Sequence, residues 1–175
     1  MVYMERTITK RTVHDGRNFS FRSDVVELRD GRRTFRDIVD HPGSVVIIPI
    51  LPNGGIALVY QYRYAVRRHI LELPAGTLND GEEPEECARR ELREETGYEA
   101  SELREILRCF VSPGYSSELV HFFITEDLKM VGTRMEEDED ISVVRLERED
   151  AIKMIEENRI EDAKTIIGLH YYLEH

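Results

Sequence analysis

Residues Ser44–Ile50 read Ser-Val-Val-Ile-Ile-Pro-Ile, an apolar run with no polar residue at alternate positions after its first. A strand of that composition is hydrophobic on both faces, so other layers must cover both. Pro52-Asn53-Gly54-Gly55 then turns the chain, and Ile56–Arg63 returns as a second strand. Ile70–Leu73 is a short strand running into Pro74-Ala75-Gly76, and further strands are expected over Leu103–Val111, Leu119–Thr125 and Ile141–Leu146. The patterns over Pro84–Thr96, Arg148–Asn158 and Ala163–Leu173 predict helices. Strands of mixed direction alternating with helices predict an α/β fold with a mixed sheet between helical layers.

Upstream of His41-Pro42-Gly43 the pattern changes. Asp24–Arg29 alternates, Asp30-Gly31 follows, and Arg32–Val39 returns; Asp-Gly between two such runs is a strong hairpin signal. A lone hairpin is marginal in water. Residues 1–42 are therefore expected to form a small N-terminal β element that packs on the rest or on a partner subunit. The main domain would then occupy 43–175, since a 175-residue chain has little room for two full domains.

The chain carries 35 acids against 24 bases, a formal charge of −11. Sequence-independent binding to nucleic acid or to an anionic membrane needs a basic footprint, and neither partner is expected. Small phosphate-bearing substrates stay open where a divalent metal screens the repulsion. The bases are 20 Arg and 4 Lys, and guanidinium is the better bidentate partner for phosphate. No apolar run reaches the roughly 18–20 residues of a membrane-spanning helix, and Met1–Lys10 has no apolar secretion core. Cys87 and Cys109 are too few for a disulfide framework or a thiolate zinc site. A reduced, cytoplasmic setting is the expectation.

Helix 84–96 is the element that carries chemistry. Pro84 opens it, Glu85 and Glu86 lie near its positive end, and Gly97 stops it. Its apolar stripe, Cys87, Ala88 and Leu92, is thin, while Glu91, Glu94 and Glu95 stand at i, i+3 and i+4 and share one side. Taken alone, such a stripe is a solvated face neutralised by Arg89, Arg90 and Arg93. The other reading is a divalent-cation site, because hard cations take carboxylate oxygens and keep waters for a substrate's phosphates. The surroundings decide between them: Gly76, five residues, Glu82, seven residues, Arg90-Glu91-Leu92, one residue, Glu94-Glu95, one residue, Gly97. This spacing resembles the Nudix box, with its fixed positions filled.

The resemblance implies the Nudix fold, an α/β/α sandwich, and metal-dependent hydrolysis of a nucleoside diphosphate linked to another moiety. Three further features resemble the ADP-ribose pyrophosphatases of that superfamily: Gln61-Tyr62-Arg63 followed by Leu71-Glu72-Leu73-Pro74-Ala75-Gly76; Pro113, 16 residues beyond Gly97, within Ser112–Glu118; and the acidic run Glu137-Asp138-Glu139-Asp140-Ile141. By matched position, the resemblance gives Ala75 (through its carbonyl), Glu91, Glu95 and Glu139 as ligands of Mg²⁺, with Mn²⁺ as the alternative. Glu94 supports or shares a metal, and Glu137 is the candidate general base. Arg63 and Arg36 would clamp the diphosphate, Glu118 would contact the ribose side, and Phe19 would stack on the base. Glu82 and Arg90 would fix the loop as an ion pair. The family also implies a homodimer that uses the N-terminal segment.

The expected reaction is the splitting of ADP-ribose into AMP and ribose 5-phosphate. Other nucleoside diphosphate derivatives (a GDP-sugar, NADH, a dinucleoside polyphosphate) remain open within the same chemistry. A non-catalytic nucleotide-sensing module is a third possibility, against which the intact carboxylates speak.

Overall fold

The computed structural model describes residues 3–132 and 141–175, and the chain falls into two compact units. The first comprises Met1–Gly43 with Phe110–Leu119. Its strands are β1 (Arg6–Thr9), β2 (Thr12–Asp15), β3 (Ser20–Glu27) and β4 (Arg33–Asp40). The β3–β4 hairpin forms around Gly31 at φ 82°, as Asp30-Gly31 predicts. Asp30 Oδ1 accepts the Arg32 amide at 3.1 Å and fixes the turn. Beyond the expected hairpin, β1 and then β2 pair with the other edge of β3, each through an irregular register. Asp24, buried in β3, is held by Arg22 Nη2 at 3.1 Å and by the Arg11 amide at 3.2 Å. The 112–117 stretch lies along β4: the Val39 amide donates to Tyr115 O at 2.7 Å and the Ser117 amide to Val39 O at 3.0 Å.

The second unit comprises Ser44–Cys109 and Val120–His175. Its elements are β5 (Ser44–Pro49), β6 (Ile56–Arg63), β7 (Arg68–Glu72), β8 (Ala75–Thr77), α1 (Pro84–Thr96), β9 (Tyr98–Ala100), β10 (Arg104–Phe110), β11 (Leu119–Thr125), β12 (Leu128–Met130), β13 (Ile141–Leu146), α2 (Arg148–Glu156) and α3 (Ala163–Glu174). One sheet has the order β10-β11-β5-β8, with β11 parallel and β8 antiparallel to β5. A second has the order β13-β6-β7, and β9 pairs with β12.

The apolar run Ser44–Ile50 supplies β5, and Val45, Val46, Ile47 and Ile48 are fully buried. Alternation sends Val45 and Ile47 to the face covered by Cys87, Ala88 and Leu92 of α1. Ile48 points to the other face, where α3 comes so close that a Cβ on Gly168 would lie 3.4 Å from it. Each such side chain contributes about 1.5–3 kcal/mol by leaving water. Helix, sheet and helix thus form the α/β/α sandwich.

Candidate active site

The loop from Gly76 to Pro84 delivers the chain to the start of α1, and three features fix the helix. Pro84 occupies its first turn, Glu85 and Glu86 complement the positive end, and Gly97, at φ 74°, closes it by donating to Arg93 O at 3.0 Å. Cys87, Ala88 and Leu92 are buried in the core. That burial turns Glu91 and Glu95 toward β8 rather than toward solvent.

Two backbone residues receive those carboxylates. The Ala75 amide donates to Glu95 Oε2 at 3.0 Å, and Glu95 is buried. At Gly76 a Cβ would lie 1.9 Å from Glu91 Oε1 and 2.0 Å from its carboxyl carbon, so any larger residue would displace that carboxylate. Glu91 and Glu95 therefore rest on adjacent residues of one short strand.

Arg90 ties the loop to the helix. Its Nε and Nη2 donate to Glu82 Oε1 and Oε2 at 2.9 and 3.0 Å, and Nη2 also reaches Thr77 O at 3.3 Å. Its Nη1 bridges Glu91 Oε1 at 2.6 Å and Glu94 Oε2 at 3.1 Å. One guanidinium thus meets Glu82, Glu91 and Glu94 and offsets the repulsion between the last two. The expected Glu82–Arg90 ion pair is present. The Arg90 bond holds the Glu82 carboxyl down at about 2 against the partial opposition of burial, and Arg90 itself is raised. Cys87 lies beside this cluster with its thiol pushed up to about 12 by burial, which makes it a poor nucleophile.

Arg63, at the end of β6, forms a fork-to-fork pair with Glu72: Nε to Oε1 at 2.6 Å and Nη2 to Oε2 at 2.7 Å. Glu72 is buried, 1% exposed. The bond to Glu72 raises the Arg63 pKa, burial opposes it, and the charges of Glu72, Glu95 and Asp162 add to the rise. Arg63 is thus anchored in the field of the α1 carboxylates. Glu72 had no role in the sequence reading. Its signal was an acid enclosed by apolar residues in Ile70-Leu71-Glu72-Leu73.

Three other candidates belong to the first unit. Arg36 pairs with Glu5, Nε to Oε2 at 3.0 Å and Nη2 to Oε1 at 2.5 Å. Phe19, at the entry to β3, is 48% exposed. Glu118 closes the stretch that lies along β4, its amide donating to Ser116 Oγ at 3.2 Å. Glu137 and Glu139 lie outside the described residues.

The donors fit a hard divalent ion. Two carboxylates lie on the backbone of Ala75 and Gly76, where a side chain on Gly76 would fill the space, and all are oxygen donors of the kind Mg²⁺ takes. Among the described residues no three Asp, Glu, His or Cys side chains form a metal-holding group by themselves. A backbone oxygen or a further acid must complete such a site.

The family model described as NUDIX domain matches residues 40–167. The chain is 41% identical over 169 residues to an ADP-ribose pyrophosphatase of Bacillus subtilis (strain 168), covering 95% of this chain and 91% of that protein. It is 38% identical over 146 residues to a GDP-mannose pyrophosphatase of Yersinia enterocolitica serotype O:8, covering 78% and 76%. Among solved structures, an ADP compounds hydrolase superposes with a TM-score of 0.84 at 22% identity, over 99% of this chain and 94% of that one. The family match takes in the loop and the α1 carboxylates, and the chain belongs to the NUDIX domain family.

Proposed function

We propose that the chain hydrolyses the pyrophosphate bond of ADP-ribose, adding water across the P–O–P bridge to give AMP and ribose 5-phosphate. The observation that carries this reading is the pair Glu91 and Glu95 resting on Ala75 and Gly76. It is supported by the 41% identity to an ADP-ribose pyrophosphatase along 95% of the chain. Hydrolases of this family require divalent metal ions; for this chain the ion is Mg²⁺, with Mn²⁺ the alternative. When bound, the ion screens the diphosphate charge and acidifies water for attack at phosphorus. Glu91, Glu95 and the Ala75 carbonyl hold it, with Glu139 completing the set, and Glu94 steadies Arg90 beside it. Glu137 takes the proton from the attacking water. Arg63, held by Glu72, presents its remaining N–H groups to the diphosphate, and Arg36 assists. Glu118 contacts the ribose side, and Phe19 stacks on the base. The enzyme is a homodimer through its N-terminal element, and its free Cys87 and Cys109 suit the reducing cytoplasm.

A second reading, a GDP-sugar pyrophosphatase, draws on the 38% identity to a GDP-mannose pyrophosphatase. A substrate panel separates them: ADP-ribose, GDP-mannose and NADH with Mg²⁺, products resolved by chromatography. The proposal expects the highest kcat/KM for ADP-ribose, with AMP as product. A higher kcat/KM for GDP-mannose would replace it with the second reading, and no turnover of any of the three would overturn both.

A further inference from the structure

Leu73 stands where the chain leaves one sheet for another. Before it, Glu72 is paired with Val59 in the β6–β7 ladder. After it, Ala75 and Gly76 are paired with Val46 and Val45 in the β5–β8 ladder. The Pro74 carbonyl is already taken by the Ile47 amide at 2.8 Å. A buried amide at such a crossing must find a partner outside the ladders. For Leu73 that partner is Thr165, 92 residues away at the start of α3, whose Oγ1 accepts the amide at 2.8 Å. Both residues are buried.

The hydroxyl does two jobs. It accepts from Leu73 and donates to Asp162 Oδ2 at 2.8 Å, so its proton has one direction. Asp162 caps the helix, its Oδ2 taking the Thr165 amide at 2.8 Å and its Oδ1 taking Lys164 Nζ at 2.8 Å. Burial works to raise its pKa, but Lys164 and Thr165 outweigh burial and keep the carboxylate ionised. One turn further along α3, Gly168 closes on the same residue: a Cβ there would lie 2.4 Å from Leu73 Cδ1. The helix therefore grips Leu73 by backbone and side chain together.

What this grip controls lies on either side of residue 73. One residue back, Glu72 anchors Arg63, the proposed diphosphate contact. Two and three residues on, Ala75 and Gly76 bear the α1 carboxylates. We propose that the Asp162–Thr165 pair of α3 is a positioning element of the hydrolytic site, setting through Leu73 the separation between the Arg63–Glu72 fork and the Ala75–Gly76 cradle. This rests on the metal-dependent hydrolysis proposed above. Neither residue touches substrate; both act through the backbone of 73.

The test is Thr165→Val, which keeps the shape and removes the acceptor, against Thr165→Ser, which keeps the hydroxyl. A misplacement of about 1 Å at a reacting centre can cost about 10²-fold in rate, and loss of a group supporting a metal ligand costs about 10–100-fold in affinity. Thr165→Val is expected to lower kcat about tenfold and to raise the Mn²⁺ Kd, read by electron paramagnetic resonance without substrate, by at least about tenfold. KM for ADP-ribose should move less, and Thr165→Ser should restore both values. Tyr172→Phe, which removes the hydrogen bond from the far end of the same helix to Gly54 O, controls for loosening of α3. It should lower the melting temperature and leave kcat and the Mn²⁺ Kd alone. If Thr165→Val does not fold, Asp162→Asn preserves the cap and should raise the Mn²⁺ Kd by about tenfold, the lower end of the range for supporting groups. A Thr165→Val enzyme that melts earlier but keeps kcat and Mn²⁺ Kd within about twofold of wild type, or a Tyr172→Phe enzyme showing the same kinetic losses, overturns the proposal. Should the wild type hydrolyse no nucleotide, the functional reading falls, while the Mn²⁺ comparison still decides whether the grip shapes the cradle.

Discussion

Glu95 lies buried with its Oε2 on the Ala75 amide, whereas Glu86 stands exposed in the first turn of the same helix. Both are carboxylates of α1, yet of the two only Glu95 is buried and held on the β8 backbone, by the Ala75 amide. Glu95→Gln should therefore lower kcat by at least about 100-fold, more than loss of an outer support would, while Glu86→Gln stays near wild type. Equal losses in a steady-state assay would remove α1 as the metal face. Glu82 acts at a different point, through the loop. Its folded carboxyl titrates at about 2 rather than 4.5, with the Arg90 bond as the largest cause. A depressed carboxyl contributes stability that is complete above its unfolded pKa and drains away as pH falls through the folded one. The Glu82–Arg90 pair should therefore stabilise the protein fully above about pH 4.5 and be lost on the way to about pH 2. Melting temperatures measured across that window should fall more steeply for wild type than for Glu82→Gln. Parallel curves would show that the pair contributes no proton linkage.

At the scale of elements, legibility followed the range of the interactions that make each one. Helix α1 was readable because its signals are local: Pro84 at one end, Gly97 at the other, and the carboxylate spacing between. Strand β5 was readable because burial on both faces leaves an unbroken apolar run. Strands β1 and β2 were not, since all but one of their residues are exposed and their pairing with β3 is irregular. Strand β8 is Ala-Gly-Thr, a poor strand former held in place by β5 and by Glu95. The α1 carboxylates were legible by their spacing, but Thr165 was not, because its value comes from an amide 92 residues away. The segment ahead of β13 has no described structure, yet its sequence makes a prediction. Residues two apart share a side when a chain is extended, so Glu137 and Glu139 can serve one centre in different roles. A positioned general base contributes about 10²–10⁴-fold to rate. Glu137→Gln should lower kcat within that range with little change in Mg²⁺ dependence. Glu139→Gln should raise the Mg²⁺ concentration for half activity and be partly rescued by excess metal. If Glu137→Gln keeps a near-wild-type kcat, the proton goes elsewhere, and Glu94 is the next residue to substitute.

At the scale of the whole molecule the charge is unevenly shared. Of the net −11, the unit built from residues 1–43 and 110–119 carries almost none, with nine bases against eight acids, so the acidity belongs to the other unit. Two copies approaching through acidic surfaces would repel, while the first unit offers a near-neutral surface. That surface is also apolar in part. The β3–β4 register sets Val25 opposite Phe35 and Phe21 opposite Val39, which places the four on one face. Phe35 is 65% exposed there. Phe21, Val25 and Val39 around it are half-buried, and an exposed aromatic standing on such an apolar face is the kind of feature that marks association surfaces, as the homodimer proposed for the N-terminal element needs. The two contributions respond to salt in a definite way. Apolar burial is not weakened by moderate salt, whereas repulsion between the acidic remainders is screened within about 10 Å at 0.1 M ionic strength. Dimerisation should therefore tighten as NaCl rises from low to moderate concentration, and Phe35→Glu should shift the equilibrium toward monomer by adding a charge to each apposed face. Sedimentation equilibrium or light scattering over a dilution series reads both effects. A fully active monomer at micromolar concentration would rule out the dimer, and a dimer that loosens with salt would place ion pairs, rather than the Phe35 face, at its interface.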